Sequence, residues 1–88
     1  MKTSIIVTVK SADDGAGKPF NYDIEIPVGV PFEKLGIDIR GLISQERGDA
    51  AYYSLKGELY CERLHRQMLD AETPSQAGIW NGDIFRIR

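Results

Sequence analysis

The sequence lacks the features on which several large classes of protein depend. It has one cysteine, Cys61, so an internal disulfide is impossible and a reducing compartment is favoured. It has no apolar run long enough for a membrane span or for the core of a signal peptide. Its net charge is −2, so it offers no basic footprint for nucleic acid. We therefore expect a cytoplasmic protein whose partners are proteins.

What remains is the composition of a small folded domain. The 88 residues are 42% hydrophobic and 27% charged, which argues against disorder. A chain of this length can bury a modest core without metal or disulfide support. We predict one domain over residues 1–88.

Alternating hydrophobic residues predict two strands near the start of the chain. Thr3–Lys10 has Ile5, Val7 and Val9 at every second position, and Phe20–Pro27 alternates in the same way. The segment between them consists of turn-forming residues, which predicts an antiparallel hairpin.

A long amphipathic helix is predicted from Pro31 to about Arg47. Pro31 suits the first helical position, where its missing N–H would have had no partner. Gly36 and Gly41 each cost the helix about 1 kcal/mol relative to Ala, so tertiary packing must stabilise it. Its apolar stripe consists of Phe32, Leu35, Ile39, Leu42 and Ile43.

Two more strands are predicted in the second half of the chain. Ala51–Gly57 has Tyr53 and Leu55 at positions that should face inward. Ile84–Arg88 follows a turn signal at Asn81-Gly82-Asp83. In this last strand Phe85 and Ile87 should face inward, and Arg86 and Arg88 outward.

The stretch between these two strands is less regular. Met68–Leu69 should return to the core, and residues 70–77 fit a short turn or 3₁₀ segment capped by Thr73. Residues 58–67 fit a short strand, a loop or one helical turn, and the sequence leaves the three open.

The order of these elements predicts an α+β fold of the β-grasp type. A single helix can cover only one face of one sheet, so the hairpin and the last strand must share a mixed sheet of four to five strands. The right-handed crossover rule then places the last strand parallel to the first, at the centre of the sheet.

Two stretches resemble a known family: DIEIPVGVPFEKL at 23–35 and AGIWNGDIFRI at 77–87. They are similar to the YukD/EsaB family, small bacterial ubiquitin-like proteins of type VII (WXG-type) secretion systems, and to the cytosolic domain of EccD membrane components. The resemblance spans nearly the whole chain. It implies a ubiquitin-like fold and a non-catalytic accessory protein that binds components of the secretion apparatus.

The resemblance also bears on conjugation, the best-known activity of ubiquitin relatives. An activated C-terminus needs a flexible tail ending in Gly-Gly, whereas this sequence ends Phe85-Arg-Ile-Arg88. We therefore expect neither a covalent modifier nor a sulfur carrier, which is the alternative function for this fold. The resemblance implies the same, because YukD-type proteins are understood as non-conjugating.

The open face of the predicted sheet is the candidate surface for binding proteins. Lys10, Ser54 and Arg88 should lie on it, so partners that dock on an aliphatic patch are not expected. The face is either solvated or a contact surface for an acidic partner. Trp80 is the best single anchor if it is exposed, although packing over the hairpin or over residues 58–67 is an alternative. The candidate interaction residues are Tyr52, Lys56, Trp80, Arg86 and Arg88.

Three shorter patterns are incomplete as functional sites. Cys61 and His65 are four residues apart but lack an orienting acid and further metal ligands, so we expect a loop thiol, a surface histidine, no metal, no cofactor and no enzyme activity. Arg63, His65 and Arg66 form a small basic cluster among acidic residues. Gly15-Ala16-Gly17-Lys18 lacks P-loop spacing and fits a hairpin turn. Pairing of edge strands into a homodimer stays open.

Overall fold

The computed structural model describes residues 3–11, 19–47 and 56–88, which form five strands and two helices. No helix in these ranges has the length and hydropathy needed to cross a membrane. The elements, in chain order, are β1 (Ser4–Ser11), β2 (Asn21–Pro27), α1 (Phe32–Arg47), β3 (Leu59–Cys61), β4 (Arg66–Gln67), α2 (Pro74–Ala77) and β5 (Ile84–Ile87).

The five strands form one mixed sheet in the order β2-β1-β5-β3-β4. β1 and β5 run parallel at its centre, and the other neighbouring pairs are antiparallel. One face carries α1, whose Phe32 ring lies 6.0 Å from the ring of Phe85 in β5. This arrangement confirms the predicted β-grasp fold, including the central position of the last strand.

The two predicted hairpin strands are confirmed, and their periodicity explains the core. Ile5, Val7 and Val9 are buried on the helix side of β1. The register pairs Val7 with Ile24, so β2 presents its apolar residues to the same side. Burial of alternate residues on one face fixes the register, because a slip by one residue would expose the whole set.

The start of α1 is capped by the segment that follows β4. The backbone N–H of Phe32 donates to the carbonyl of Glu72 (2.9 Å), and the N–H of Glu33 donates to the carbonyl of Asp70 (3.1 Å). These two donors would otherwise lack partners in the first helical turn. The helix is therefore tied at its start to a part of the chain far away in sequence.

The predicted apolar stripe of α1 is correct except at Leu42. The other four residues of the stripe are buried, but Leu42 is 53% exposed. On a helix with 100° per residue, Leu42 lies on the flank of the stripe. It faces a groove beside β2 rather than the centre of the sheet.

The prediction for the segment before β5 is partly wrong. In the predicted strand Ala51–Gly57, residues 51–55 lie outside the described residues, and the last two residues are not in a strand. Of the three alternatives for residues 58–67, the short strand is correct, because β3 and β4 form a hairpin there. Met68 is buried as predicted, whereas Leu69 is exposed rather than part of the core. Thr73 caps a short α-helix, α2, and exchanges hydrogen bonds with Gln76 in a capping box.

A close backbone contact explains the glycine in the first half of α1. A Cβ atom on Gly36 would overlap the carbonyl oxygen of Gly57 and lie 2.9 Å from its carbonyl carbon. Gly57 itself has φ +81°, a conformation that favours glycine. The two glycines therefore allow α1 to lie directly against the backbone of the segment that leads into β3. A Cβ atom on Gly41, in contrast, would meet no atom of the described residues within 4 Å.

This difference predicts opposite effects of the same substitution. Gly36→Ala should destabilise the fold by roughly 1–3 kcal/mol, because the added methyl group collides with backbone atoms. Gly41→Ala should stabilise it by about 1 kcal/mol through helix propensity alone. Urea denaturation of both variants and the parent chain measures this. Equal effects of the two substitutions would contradict the close approach of α1 to Gly57.

Candidate functional site

The candidate interaction residues do not form one cluster. Trp80 lies in the turn before β5, and Arg88 lies at the opposite end of that strand. Lys56 is exposed on the segment before β3, and Arg86 is half-buried within β5. Tyr52 lies outside the described residues. The open sheet face and the Trp80 turn are therefore two separate regions.

On the open sheet face, Arg86 already has hydrogen-bond partners within the protein, which the sequence did not predict. The Nε of Arg86 donates to Oε1 of Glu62 (2.7 Å), and its Nη1 donates to the carbonyl of Ser11 (3.3 Å). Tyr60 pairs with Arg86 across β3 and β5, and it faces outward because its neighbours on β3 are buried. The outward position of Tyr60 was not predicted from the sequence, because β3 has only three residues and shows no recognisable alternation.

Trp80 is presented to solvent by an ordered turn. Its side chain is 64% exposed, and the Cζ of Arg63 lies 3.9 Å from the centroid of its ring. The sequence left packing over residues 58–67 and exposure for binding as alternatives. Arg63 of that segment covers one side of the indole while most of the ring remains accessible, so the ring is both packed and exposed. A guanidinium in this position gains a cation–π interaction.

Asp83 holds this arrangement together. Its carboxylate is only 6% exposed and accepts from Nε and Nη2 of Arg63 at 2.8 and 2.9 Å. It also accepts from the backbone N–H of Trp80 at 2.8 Å. Nη2 of Arg63 donates further to the carbonyl of Gly78 (2.6 Å). Hydrogen bonds from Arg63 hold the pKa of Asp83 below its ordinary value, and the same bonds raise the pKa of Arg63.

The turn is also bonded to β1. The N–H of Gly82 donates to the carbonyl of Ile6 (2.7 Å), and the N–H of Ile6 donates to Oδ1 of Asn81 (2.8 Å). Gly82 has φ +90°, which confirms the predicted turn at this position. Ile6 is itself half exposed, so an aliphatic side chain lies on the strand that anchors the Trp80 turn.

The basic cluster of the sequence is divided between two carboxylates. Arg63 pairs with Asp83, and Arg66 pairs with Glu72 through Nη1–Oε2 (3.1 Å) and Nη2–Oε1 (2.6 Å). Hydrogen bonds from Arg66 hold the pKa of Glu72 below its ordinary value. His65 is exposed in the turn between β3 and β4, with φ 54°. The two arginines therefore act as structural links of the β3–β4 hairpin.

Cys61 ends strand β3 and His65 lies in the turn that follows, so the two residues do not share one face of a helix. Cys61 is buried in β3 and faces the core, so the expectation of a loop thiol is wrong. His65 is a surface histidine, as expected. In the ranges that the structure covers, no three side chains of His, Cys, Asp and Glu come close enough to hold a metal ion.

Comparisons with known proteins support the fold without naming a family. No protein-family model and no curated protein matches the chain. Among solved structures, it is similar to a protein designed de novo on the basis of ubiquitin, with a TM-score of 0.59 and 12% sequence identity. The match covers 98% of this chain and 88% of the designed chain. At this identity the likeness shows the fold alone, which is a ubiquitin-like β-grasp.

The Asp83 cluster predicts a specific dependence of stability on pH. Because the pKa of Asp83 is lowered in the folded state, its contribution is present above the ordinary value of 3.8 and is lost as the pH falls through the lower folded value. Asp83→Ala should cost about 1–3 kcal/mol near neutral pH, since the N–H of Trp80 loses its acceptor. Below about pH 4 the difference from the parent chain should shrink.

Asp83→Asn separates the hydrogen bond to the N–H of Trp80 from the ion pair with Arg63. It keeps an oxygen that can accept from the N–H of Trp80 but carries no charge to pair with Arg63. We expect it to be less destabilised than Asp83→Ala and to show the same weakened pH dependence. Thermal unfolding from pH 2 to 7 measures both effects. A difference from the parent chain that stays constant with pH would contradict the charged pairing.

Proposed function

We propose that this protein is a non-catalytic, ubiquitin-like interaction module that binds protein partners through the surface around Trp80. The observation that carries the proposal is the position of Trp80, a large indole held in solvent on a turn bonded to both Arg63 and β1. Tryptophan and arginine are among the residues most enriched as interface anchors. Because the turn is already ordered, little conformational entropy is lost when a partner covers the ring.

We further propose that the partner belongs to a bacterial type VII secretion apparatus, with this protein as a cytosolic accessory component that is not conjugated to targets. The support is the resemblance of residues 23–35 and 77–87 to the YukD/EsaB family. Trp80 lies inside the second of these stretches but is an unusual residue for the turn before the last strand, so its choice as the anchor rests on its exposure and not on the resemblance. The cytosolic domains of the membrane component are the first partners to test.

Affinity purification from the native host tests this proposal. Tagged protein should recover type VII components, and Trp80→Ala should lose them, because truncation of an interface anchor costs about 2 kcal/mol or more of binding free energy. Leu69→Ala is the matched control, since Leu69 is equally exposed but lies on a different segment. It should recover the same components as the parent chain.

Two outcomes would contradict the proposal. Recovery of the components by Trp80→Ala would remove the assignment of the surface, and recovery of none from a host that has the system would remove the secretion role. The same preparation tests the alternative of a modifier or sulfur carrier. A ladder of covalent adducts on a blot, or a C-terminal thiocarboxylate in the intact mass, would favour that alternative.

A further inference from the structure

β2 leaves one edge of the sheet open in the part of the chain that the structure describes. It pairs there only with β1. The N–H of Thr8 donates to the carbonyl of Asp83 (2.9 Å), and the carbonyl of Ile6 accepts from the N–H of Gly82 (2.7 Å). The peptide groups of Thr8 and Ile6 therefore point away from β2, toward β5 and the turn before it. The register places Asp23 and Glu25 opposite these two residues. In an antiparallel pair, the peptide groups of Asp23 and Glu25 therefore point away from β1, at the open edge.

A groove runs along this edge on the helix side. It has a volume of about 140 Å³ and lies between β2 and the second half of α1. A cavity of about 150 Å³ is large enough to hold a benzene ring, so the groove can accept an aliphatic side chain. Its lining residues are Tyr22, Asp23, Ile24, Leu42, Ile43 and Glu46.

The other side of the same edge is acidic. Asp23 accepts from the hydroxyl of Thr8 (2.7 Å), and Glu25 accepts from the hydroxyl of Ser4 (2.6 Å). These donors are neutral, so they do not compensate the charge of either carboxylate. Glu46 lines the groove itself, so a further carboxylate lies on the helix side of the edge. None of the three forms a salt bridge with a described residue.

We propose that the open edge of β2 binds an extended segment of a partner protein in which aliphatic residues alternate with lysine or arginine. A strand added beside β2 would bond the outward peptide groups of Asp23 and Glu25. Its side chains would alternate between the two faces. The aliphatic set would enter the groove against Leu42, and the basic set would lie beside the two carboxylates. This surface does not include Trp80, so it is independent of the function proposed above.

The charge pattern favours such a segment over a second copy of this chain. Two β2 strands paired edge to edge would bring the acidic rows of both copies together. Like charges across neighbouring strands are destabilising. A basic segment reverses the sign of that interaction.

Titration of the ¹⁵N-labelled 88-residue chain with synthetic peptides tests the proposal. The probe is a capped peptide of alternating lysine and valine. Three comparison peptides replace lysine by glutamate, arrange the same residues in two blocks, or carry N-methyl groups on the amides that would face β2. We expect amide shift changes at residues 21–26, 42 and 46 with the probe, and roughly tenfold or weaker binding of each comparison peptide. Equal binding of any of them, or shift changes centred elsewhere, would overturn the proposal.

Protein variants give a second and separate test. Leu42→Ser should weaken binding of the probe about tenfold, because the groove loses its exposed apolar wall. Ile37→Ser is the matched control, since Ile37 is 52% exposed on the same helix but does not line the groove. It should bind like the parent chain. The double variant Asp23→Asn with Glu25→Gln should also weaken binding about tenfold at low salt.

The groove would be contradicted as the site if Ile37→Ser lost binding of the probe, or if Leu42→Ser bound the probe as tightly as the parent chain. Sedimentation of the chain alone tests the competing occupant. A monomer supports a foreign segment, whereas a dimer that dissociates on addition of the probe shows that the edge pairs with a second copy and overturns the assignment.

Discussion

The ion pair between Asp83 and Arg63 is the interaction on which the arrangement of the second half of the molecule depends. The side chain of Asp83 receives Arg63 from the turn between β3 and β4, and its backbone carbonyl receives the N–H of Thr8 from β1. The edge hairpin, the entry into β5 and the central strand therefore meet at one residue. An ion pair this well bonded compensates for the desolvation that isolated charges would suffer. Removing either charge would leave the other without its partner.

The same ion pair determines which groups around Trp80 are exposed to a partner. Arg63 is fixed by Asp83 and lies against the indole of Trp80, so an aromatic ring and a guanidinium are presented together in a defined orientation. The fold contributes the scaffold but not the function, because ubiquitin-like β-grasp domains serve many unrelated roles. The indole of Trp80 and the carboxylates along the open edge of β2 are side chains that the β-grasp fold does not itself require. They are the features by which this chain can distinguish one protein partner from another.

The sequence predicts those parts of the fold whose signals are local. The alternation in β1 and β2, the apolar stripe of α1, the Thr73 cap and the Asn81-Gly82 turn are all visible within a few neighbouring residues. β3 and β4 contain three and two residues, too few for periodicity to appear, so Cys61 and Tyr60 could not be placed. The pairing of Arg63 with Asp83 spans 20 positions and exists only in three dimensions. Leu42 follows the helical period but lies beyond the edge of the sheet that should have buried it.

Site-specific photo-crosslinking at position 80 in the native host tests the central claim most directly. A photoreactive aromatic residue there replaces the indole with a ring of similar size, and the same residue at position 69 serves as the reference. We predict that position 80 forms a discrete adduct with a component of the secretion apparatus and that position 69 does not. Adducts at position 69 but none at position 80 would contradict the assignment of Trp80 as the anchor.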